Sequence, residues 1–354
     1  MTRSQLQSKS LLLLGALLAL LSGAARADDQ ERKLVVVTTL PYLADVARAV
    51  GGDQVTVEAL APPGMDPHFI QATPARSLVL SKADVLLENG VQLEQWSERV
   101  IDGARNQRIR PGNPGHAYCA NGIKPLQVPR QQTRAAGEVH AGGNPHVWLD
   151  PLNLKRVAKN VEECLAKVRP AATELFAKNR AAFEAELDER FYGEELLKLL
   201  GARRLNLLQK RGRLRAFLQE QQFQGKPLSE RAGGWLKRAL ALRDLKLISY
   251  HQVWIYFQNG FDIEVVATLE EKPGIPPSPA HLAQLEAAAK ARGVKAIVCA
   301  PFYPFSRAEG LAERVAAQPV VLPTQPGEEG TKDIFDLFDT IFTRLEQAVA
   351  KAKK

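Results

Sequence analysis

Asn144-Pro145-His146-Val147-Trp148-Leu149-Asp150-Pro151 is the stretch of sequence around which the rest of the chain is organised. A residue that precedes proline is driven out of the helical region, so Asn144 predicts an extended, turning backbone. His146 follows, and a neutral imidazole can bind a metal or act as a base at physiological pH. Asp150 and Pro151 predict a helix start, because Asp caps free amides and proline at the first helical position loses no hydrogen bond. A potential ligand therefore lies one short step before a helix.

The first 27 residues predict a cleaved signal peptide. Arg3 and Lys9 form a basic start, 11–21 is an apolar run too short to span a bilayer comfortably, and Ala25-Arg26-Ala27 is a small-residue cleavage site. The junction offers no cysteine that could carry a lipid. We therefore expect an exported, periplasmic protein whose mature chain starts near Asp28.

Buried strands alternate with helices on both sides of the central stretch, which predicts an α/β fold of two βα lobes, each a parallel sheet flanked by helices. In the first lobe, strands are predicted at 34–39, 55–60 and 83–88, with helices at 41–50, 74–81 and 92–101. In the second lobe, strands are predicted at 245–250, 263–268, 296–300 and 320–322, with helices at 251–257, 279–292, 307–317 and 332–350. Because ligands bind outside the carboxyl ends of parallel strands, the loops that follow the strands are where we expect a site.

Between the lobes, residues 171–192 predict one long helix with Phe176, Phe183 and Phe191 on a single seam. A helix of this length spans about 33 Å, enough to join two lobes rigidly. Residues 196–240 then hold eleven Lys or Arg and two acids, and interleaved leucines predict short amphipathic helices. This segment is either a solvated helical insertion or a docking surface for an acidic partner or an anionic membrane. An exported protein is not expected to bind nucleic acid.

Three histidines occupy places typical of a functional site. His68 and His251 each follow a strand, in different lobes, and His146 precedes the central helix. Closure of the two lobes would bring the three together, although a single histidine is more often structural. Three neutral imidazoles suit a borderline cation such as Zn²⁺, whereas Mg²⁺ and Ca²⁺ prefer oxygen ligands. Because imidazoles titrate near pH 6.5, we expect the metal affinity to fall below about pH 6.

The remaining histidines and the cysteines have weaker functional patterns. His116 and His140 lie in the loop region 105–143, and His140 is close enough to His146 to be an accessory ligand. His281, in the first turn of a predicted helix, is expected at the surface. The cysteines are too widely spaced for a local metal knuckle. We expect all three to be buried and unpaired, although one pair could be oxidised in an exported protein. They are Cys119, Cys164 and Cys299.

A set of short motifs, taken in order, resembles one family. The motifs are Thr38-Thr39-Leu40-Pro41, Met65-Asp66-Pro67-His68, Asn89-Gly90 with Glu94 and Trp96, the central stretch, Tyr250-His251-Gln252-Val253-Trp254 and Lys272-Pro273-Gly274-Ile275-Pro276-Pro277. Together they resemble the periplasmic zinc/manganese-binding proteins of ABC importers, the ZnuA/TroA-like cluster, over nearly the whole mature chain. The resemblance implies two βα lobes joined by a long rigid backbone helix, a metal at their interface, an ABC permease as partner, a monomer, and no enzymatic activity. It places His68, His146 and His251 on three of the family's ligand positions.

On this resemblance the chain divides into five segments. They are the signal peptide 1–27, an N-terminal metal-binding lobe 28–169, a linking backbone helix 170–195, the basic helical insertion 196–240 and a C-terminal metal-binding lobe 241–354.

The sequence departs from the family pattern at the fourth ligand position. Many members place an aspartate just after the last strand, but here the first acid in that neighbourhood is Glu328. Water, Glu270, Glu328 and His140 all remain candidates for that position. The long His- and Asp-rich loop of many zinc members is also missing. A third histidine stands where manganese members often place glutamate, which favours Zn²⁺ over Mn²⁺.

Three alternatives to a zinc-capturing transport component remain open at this point. A Mn²⁺-specific homologue would use the same architecture. A secreted zinc hydrolase could use three histidines and a water, with Glu270 as the general base. A surface adhesin or zinc-buffering protein without a transporter would need only the capture site.

Overall fold

Two four-stranded parallel sheets carry the fold of the computed structural model, which describes residues 32–129 and 140–352. In the first sheet the spatial order of the strands is Val55–Ala59, Leu34–Thr38, Val85–Glu88 and His116–Tyr118, and in the second it is Gln318–Val321, Ala296–Cys299, Lys246–Ser249 and Glu264–Thr268. Every strand pair in both sheets is parallel. The expected α/β fold of two parallel-sheet lobes is therefore confirmed. The strands are β1 (Leu34–Thr38), β2 (Val55–Ala59), β3 (Val85–Glu88), β4 (His116–Tyr118), β5 (Gln222–Phe223), β6 (Lys226–Pro227), β7 (Lys246–Ser249), β8 (Glu264–Thr268), β9 (Ala296–Cys299) and β10 (Gln318–Val321).

Helices cover both sheets and fill the region between them. They are α1 (Pro41–Gly51), α2 (Pro74–Ser81), α3 (Ser97–Ala104), α4 (Asn153–Val168), α5 (Thr173–Tyr192), α6 (Glu194–Leu200), α7 (Ala202–Lys210), α8 (Leu214–Glu220), α9 (Gly234–Ala241), α10 (Ile255–Phe261), α11 (Pro279–Arg292), α12 (Phe305–Val315) and α13 (Ile334–Lys351). The predicted signal peptide, 1–27, lies outside the described residues. Among the helices that are described, none combines the length and the apolar character needed to cross a bilayer.

The central strands are apolar runs because helices cover both of their faces. All four residues of β3 and of β9 are buried. At the amino ends of the helices, α2 and α11 begin with proline and are capped by the side chains of Thr73 and Ser278. These two helices have the bounds that the sequence predicts, since proline and a hydroxyl cap fix the first turn.

Several predicted helix starts precede the observed ones, and three of them lie near the histidines. The helix expected from Gln92 begins at Ser97, because Val91 and Gln92 have φ angles of 56° and 60°, which no right-handed helix contains. The helix expected from His251 begins at Ile255, and His251 lies in the preceding turn. The central helix begins at Asn153, two residues after the predicted proline start. Asp150 still accepts a hydrogen bond just before this helix, from the Leu152 amide to its Oδ1 at 3.0 Å.

The helix α5 connects the two lobes. Its 20 residues span about 30 Å at 1.5 Å per residue. The helix packs along α1 of the first lobe. On the other side, the Phe183 ring lies 5.5 Å from that of Phe335 in α13, and the Phe191 ring stacks on Phe261 of α10 at 5.2 Å. A single apolar cluster includes side chains of both lobes and of α5. The lobes therefore share one continuous core through this helix, as a rigid connection requires.

The basic segment that follows folds as short helices and a two-stranded hairpin. It contains α6, α7, α8, the antiparallel pair β5–β6 and α9. Leu205, Leu214 and Leu218 are buried in the same apolar cluster as α5, whereas Arg203 and Lys210 are exposed. The expectation of amphipathic helices is confirmed. Most of the charged side chains of this basic segment are exposed to solvent, whereas its buried leucines are part of the apolar core.

The three cysteines are free and buried, as expected. Burial raises the pKa of the Cys164 thiol to about 12 and that of Cys299 to about 11. Because the thiolate is the reactive form, both side chains act as small apolar groups.

We predict that Phe261→Ala lowers the free energy of unfolding by about 3–5 kcal/mol, since it opens a cavity where α5, α10 and α13 meet. The matched control is Phe223→Ala, which removes a ring that is 37% exposed and is expected to change stability by less than about 1 kcal/mol. Guanidinium unfolding monitored by circular dichroism measures both values. Equal destabilisation by the two substitutions would contradict a shared core at this junction.

Candidate metal centre

His68 lies in a single helical turn, Pro67–Phe69, in the loop that follows β2. The carboxylate of Asp66 holds it from two sides. Asp66 Oδ1 accepts from the His68 amide at 3.0 Å and from ring Nδ1 at 2.7 Å. A carboxylate can only accept, so Nδ1 carries the proton and the lone pair of the neutral ring is on Nε2.

His146 is held by the same device. Asn144 Oδ1 accepts from the His146 amide at 3.0 Å and from its Nδ1 at 2.9 Å. The Asn144 amide group in turn donates to the carbonyl oxygen of Gln252, in the other lobe, at 2.5 Å. Asp66-Pro67-His68 and Asn144-Pro145-His146 are thus two copies of one Asx-Pro-His turn, in which proline extends the backbone and the acidic or amide side chain fixes the imidazole.

His251 follows β7, at the carboxyl edge of the second sheet. Its Nδ1 lies 2.7 Å from Oε2 of Glu270, which follows the neighbouring strand β8. The same Oε2 accepts from the Gly274 amide at 3.1 Å. Glu270 therefore acts as the orienting acceptor for His251, which is a different task from the ligand or general base that the sequence left open.

The structure brings the three predicted histidines together. One ligand atom from each of His68, His146 and His251 lies within 4.8 Å of the other two. The ring centroids are 5.3 to 5.9 Å apart. All three side chains are buried or nearly so. Tetrahedral zinc with Zn–N bonds of about 2.0–2.1 Å needs nitrogens about 3.3 Å apart, so small ring movements would complete such a site.

Burial keeps the His146 imidazole uncharged at neutral pH. Removal from water, together with the neighbouring imidazoles, holds the pKa of His146 well below its usual value. The pKa of Asp66 is lowered, because its hydrogen bonds from His68 outweigh the opposing effect of burial. At neutral pH His146 therefore presents a neutral nitrogen donor and Asp66 an ionised carboxylate, which are the protonation states that a metal site requires.

The other histidines have different surroundings. His116, on β4, has its Nε2 2.5 Å from a carboxylate oxygen of Glu88. His281 is half-buried, and its Nε2 contacts the Thr268 carbonyl oxygen at 3.0 Å. His140 is 8% exposed, and its ring lies against that of His68 with centroids 5.2 Å apart. Of these three, His140 alone adjoins the cluster.

A small cavity adjoins the histidines. Its volume is about 30 Å³, and its lining includes His140, His146 and His251. A space of this size accommodates an ion or a water, whereas pockets for organic ligands measure about 300–1,000 Å³.

A buried polar network supports the loop that carries His146. The Asn89 side chain donates to the Pro145 carbonyl oxygen at 3.1 Å and accepts from the Tyr42 hydroxyl at 2.6 Å. The Tyr42 ring stacks on Trp148 with centroids 4.8 Å apart. Glu94 accepts from the main-chain amide of Asn89 at 2.6 Å. Because every partner is buried, the network fixes the backbone on both sides of His146.

Hydrogen bonds cross the cleft between the two lobes. The Trp148 indole donates to the Thr324 carbonyl oxygen at 2.7 Å, and the Tyr303 hydroxyl donates to Asp66 Oδ2 at 3.3 Å. The Gly64 amide donates to Glu328 Oε1 at 3.3 Å. These bonds join post-strand loops of the two sheets around the histidine cluster, so the structure represents a closed arrangement of the lobes.

Sequence reasoning missed the residues that position the imidazoles. Asp66 and Asn144 both lie in the motifs that resemble the family, but only a backbone role is predicted for Asn144 and none for Asp66. Their common spacing, an acceptor two residues before each histidine with proline between them, was a usable signal. Glu270 has no such local signal, because it meets His251 only through the pairing of β7 with β8.

Comparison with known proteins identifies a matching family. The sequence model of the family described as ZnuA, zinc-uptake complex component A, periplasmic, matches residues 36–191 and 229–348. The intervening residues, 192–228, are unmatched and coincide with most of the basic segment. The family is one of uptake-complex components and not of enzymes, which confirms the expected absence of catalysis.

Individual relatives differ in the metal that their names give. The chain is 29% identical over 186 residues to the iron-binding protein YfeA of Yersinia pestis. This alignment covers 51% of this chain and 56% of that protein. It is also 29% identical over 181 residues to the manganese ABC transporter substrate-binding lipoprotein PsaA of Streptococcus pneumoniae, covering 50% and 55%. The chain thus spans about half the length of the curated relatives it matches.

Solved structures support the fold across about nine-tenths of the chain. A crystal structure of ZnuA aligns with a TM-score of 0.62 at 22% identity, covering 91% of this chain and all of the other. A manganese-bound periplasmic metal-binding protein from Candidatus Liberibacter asiaticus aligns with a TM-score of 0.62 at 17% identity, covering 89% and 100%. At these identities the likeness extends to the fold alone.

We predict that Glu94→Gln flattens the pH dependence of stability in metal-free protein. Burial and then the nearby Glu88 carboxylate raise the pKa of Glu94 from 4.5 to about 7. The unfolded chain therefore releases this proton first, and the native protein loses stability as pH rises between those values. Urea unfolding from about pH 5 to about pH 8 should show wild-type stability falling relative to the variant. Parallel curves would contradict a raised pKa at this position.

Proposed function

This chain belongs to the ZnuA family of periplasmic zinc-uptake components, and from that premise we propose that it captures Zn²⁺ between its lobes and delivers it to an ABC permease. His68, His146 and His251 are the metal ligands in this proposal. The observation that carries it is the cluster of three buried histidine ligand atoms within 4.8 Å of one another, contributed by both lobes.

The donor set favours Zn²⁺ over Mn²⁺. All three clustered ligand atoms are imidazole nitrogens. Imidazole suits zinc, whereas manganese prefers carboxylate, carbonyl and water oxygens and stands lower in the general affinity order. Asp66 and Glu270, two acids in contact with the cluster, are engaged in orienting His68 and His251. The manganese-binding homologue remains the alternative, since a relative with that specificity is among those matched.

The partner and the location follow from the same proposal. A periplasmic capture protein works with a membrane permease, and the fold of two lobes around a cleft suits the release of an ion to it. We propose the division into lobes 28–169 and 241–354, linking helix 170–195 and basic insertion 196–240, together with a cleaved leader 1–27 and a monomeric state. The two sheets, the single connecting helix and the unmatched residues 192–228 support this division.

We predict that the variant with His68, His146 and His251 all changed to alanine loses tight zinc binding, since no imidazole of the cluster remains. Native mass spectrometry with elemental analysis, with Zn²⁺ and Mn²⁺ offered separately and in competition, measures stoichiometry and preference. One tightly held zinc in the wild type and none in the variant is the expected result. Unchanged zinc affinity in the variant would refute the site, and preference of the wild type for manganese would refute the choice of metal.

We predict that Glu270→Gln weakens zinc binding by about 10- to 100-fold, the cost typical of losing a group that orients a ligating histidine. Glu271→Gln is the matched control, because the adjacent acid is exposed and its carboxylate accepts from the Ser278 hydroxyl. Competition with a fluorescent chelator measures both affinities. If both substitutions have the same effect, the loss comes from general charge and not from the orientation of His251.

A further inference from the structure

The fourth coordination position is open in the sequence, and the structure assigns other tasks to the two acids considered for it. Glu328 Oε2 accepts from the amides of Thr324 and Gln325 at 2.6 and 3.1 Å, and its Oε1 accepts from the Gly64 amide at 3.3 Å. Glu270 Oε2 is engaged by His251 and by the Gly274 amide. Moving Glu328 to a metal would leave the buried amides of Thr324 and Gln325 without an acceptor, which is costly. Moving Glu270 would remove the acceptor that orients His251.

His140 lies beside the histidine cluster. Its ring packs against His68, with centroids 5.2 Å apart and planes inclined by 26°. The same side chain lines the small cavity that His146 and His251 also line. His140 thus packs against one member of the cluster and lines the same cavity as the other two.

The hydrogen bonding of His140 follows the pattern of the other three histidines. Its Nδ1 lies 3.1 Å from the Gln92 carbonyl oxygen, which can only accept. The proton is therefore on Nδ1 and the lone pair on Nε2. Histidines that ligate metals typically donate their second ring N–H to a carboxylate or a backbone carbonyl. His68, His146 and His251 have Asp66, Asn144 and Glu270 as the corresponding acceptors.

The acceptor for His140 belongs to a constrained turn. Val91 and Gln92 both have positive φ angles, a conformation that non-glycine residues, and β-branched valine above all, rarely adopt. This turn presents the Gln92 carbonyl to His140, and Gln92 Oε1 accepts from the Ala141 amide at 2.6 Å. Gln92 thus accepts two hydrogen bonds, one from the His140 ring and one from the next residue, and together they fix the position of the histidine. Strained backbone of this kind is concentrated at functional sites.

We propose that His140 is the fourth protein ligand, so that the loaded site is a shell of four imidazoles. This inference rests on the proposed zinc-binding function. The three clustered ligand atoms come from His68, His146 and His251, so the His140 ring moves inward when the ion binds. A four-nitrogen tetrahedral shell has no open position for water, and it discriminates further against ions that require oxygen ligands or six-fold coordination.

The test combines affinity with coordination number, using the full mature chain. Zn²⁺ affinity is measured by chelator competition, and Co²⁺ is used as a spectroscopic substitute whose visible absorption reports the number and type of ligands. We expect His140→Ala to weaken zinc binding by about 10- to 100-fold and to change the Co²⁺ spectrum, because water replaces one nitrogen. Because the affinity for Mn²⁺ should change little, the ratio of the Zn²⁺ affinity to the Mn²⁺ affinity should fall in this variant.

Two controls separate a ligand from a structural residue. Gln92→Ala removes the side-chain anchor of the loop but keeps both the imidazole and the backbone acceptor, so the Co²⁺ spectrum should be that of the wild type. His281→Ala removes a histidine outside the cluster and should change neither measurement.

Unchanged affinity and spectrum in His140→Ala would overturn this inference while leaving the three-histidine site intact. Equal effects of Gln92→Ala and His140→Ala on both measurements would also overturn it, since the loop and not the ring would then matter. Failure of the wild type to bind zinc would instead overturn the proposed function itself.

Discussion

A buried imidazole needs a hydrogen-bond acceptor on one side before its other nitrogen can face a ligand, and this constraint organises the centre of the molecule. Asp66, Asn144 and Glu270 provide that acceptor for the three clustered histidines. Each acceptor fixes a ring plane, a tautomer and a direction at once. Burial and the neighbouring imidazoles also keep the pKa of His146 well below its usual value.

The two lobes are joined through one packed apolar core. The apolar core runs from the first sheet through α5 into α10 and α13, so the connecting helix is packed along its length and does not behave as a flexible linker. Trp148 contributes to this rigidity in two ways. Its ring stacks on Tyr42 in its own lobe, while its indole donates to Thr324 in the other. The residue two positions after His146 therefore joins both halves of the protein.

Much of this fold could be predicted from the sequence, because its signals are local. Strands buried on both faces appear as apolar runs, and Pro74 and Pro279 mark helix starts that tertiary contacts do not change. The false start at Gln92 has a physical cause, since nothing in the local pattern reveals that Val91 and Gln92 adopt left-handed conformations. His251 was assigned to a helix for a similar reason, as the turn that frees it depends on packing.

The three clustered histidines could be predicted because parallel sheets bring post-strand loops to one edge, and two lobes bring two such edges together. Their supporting residues were harder to predict. The duplicated Asx-Pro-His turn was visible in the sequence, but Glu328 and Glu270 reveal their tasks only through contacts with residues distant in the chain or on a neighbouring strand. The sequence left four candidates for the fourth ligand position. Two of them, Glu270 and Glu328, are hydrogen-bonded elsewhere, and only the tertiary structure reveals this.

The hydrogen bond between Tyr303 and Asp66 has a thermodynamic consequence. One carboxylate orients His68 through Oδ1 and holds the opposite lobe through Oδ2, so separation of the lobes removes a constraint on a ring of the cluster. Ion occupancy and lobe closure are then linked equilibria, and linkage is reciprocal. If an ion shifts the equilibrium toward closure by some factor, a protein partner that binds only the open form lowers the affinity for the ion by the same factor. The Asp66 carboxylate would thus make the affinity for a bound ion depend on closure of the lobes.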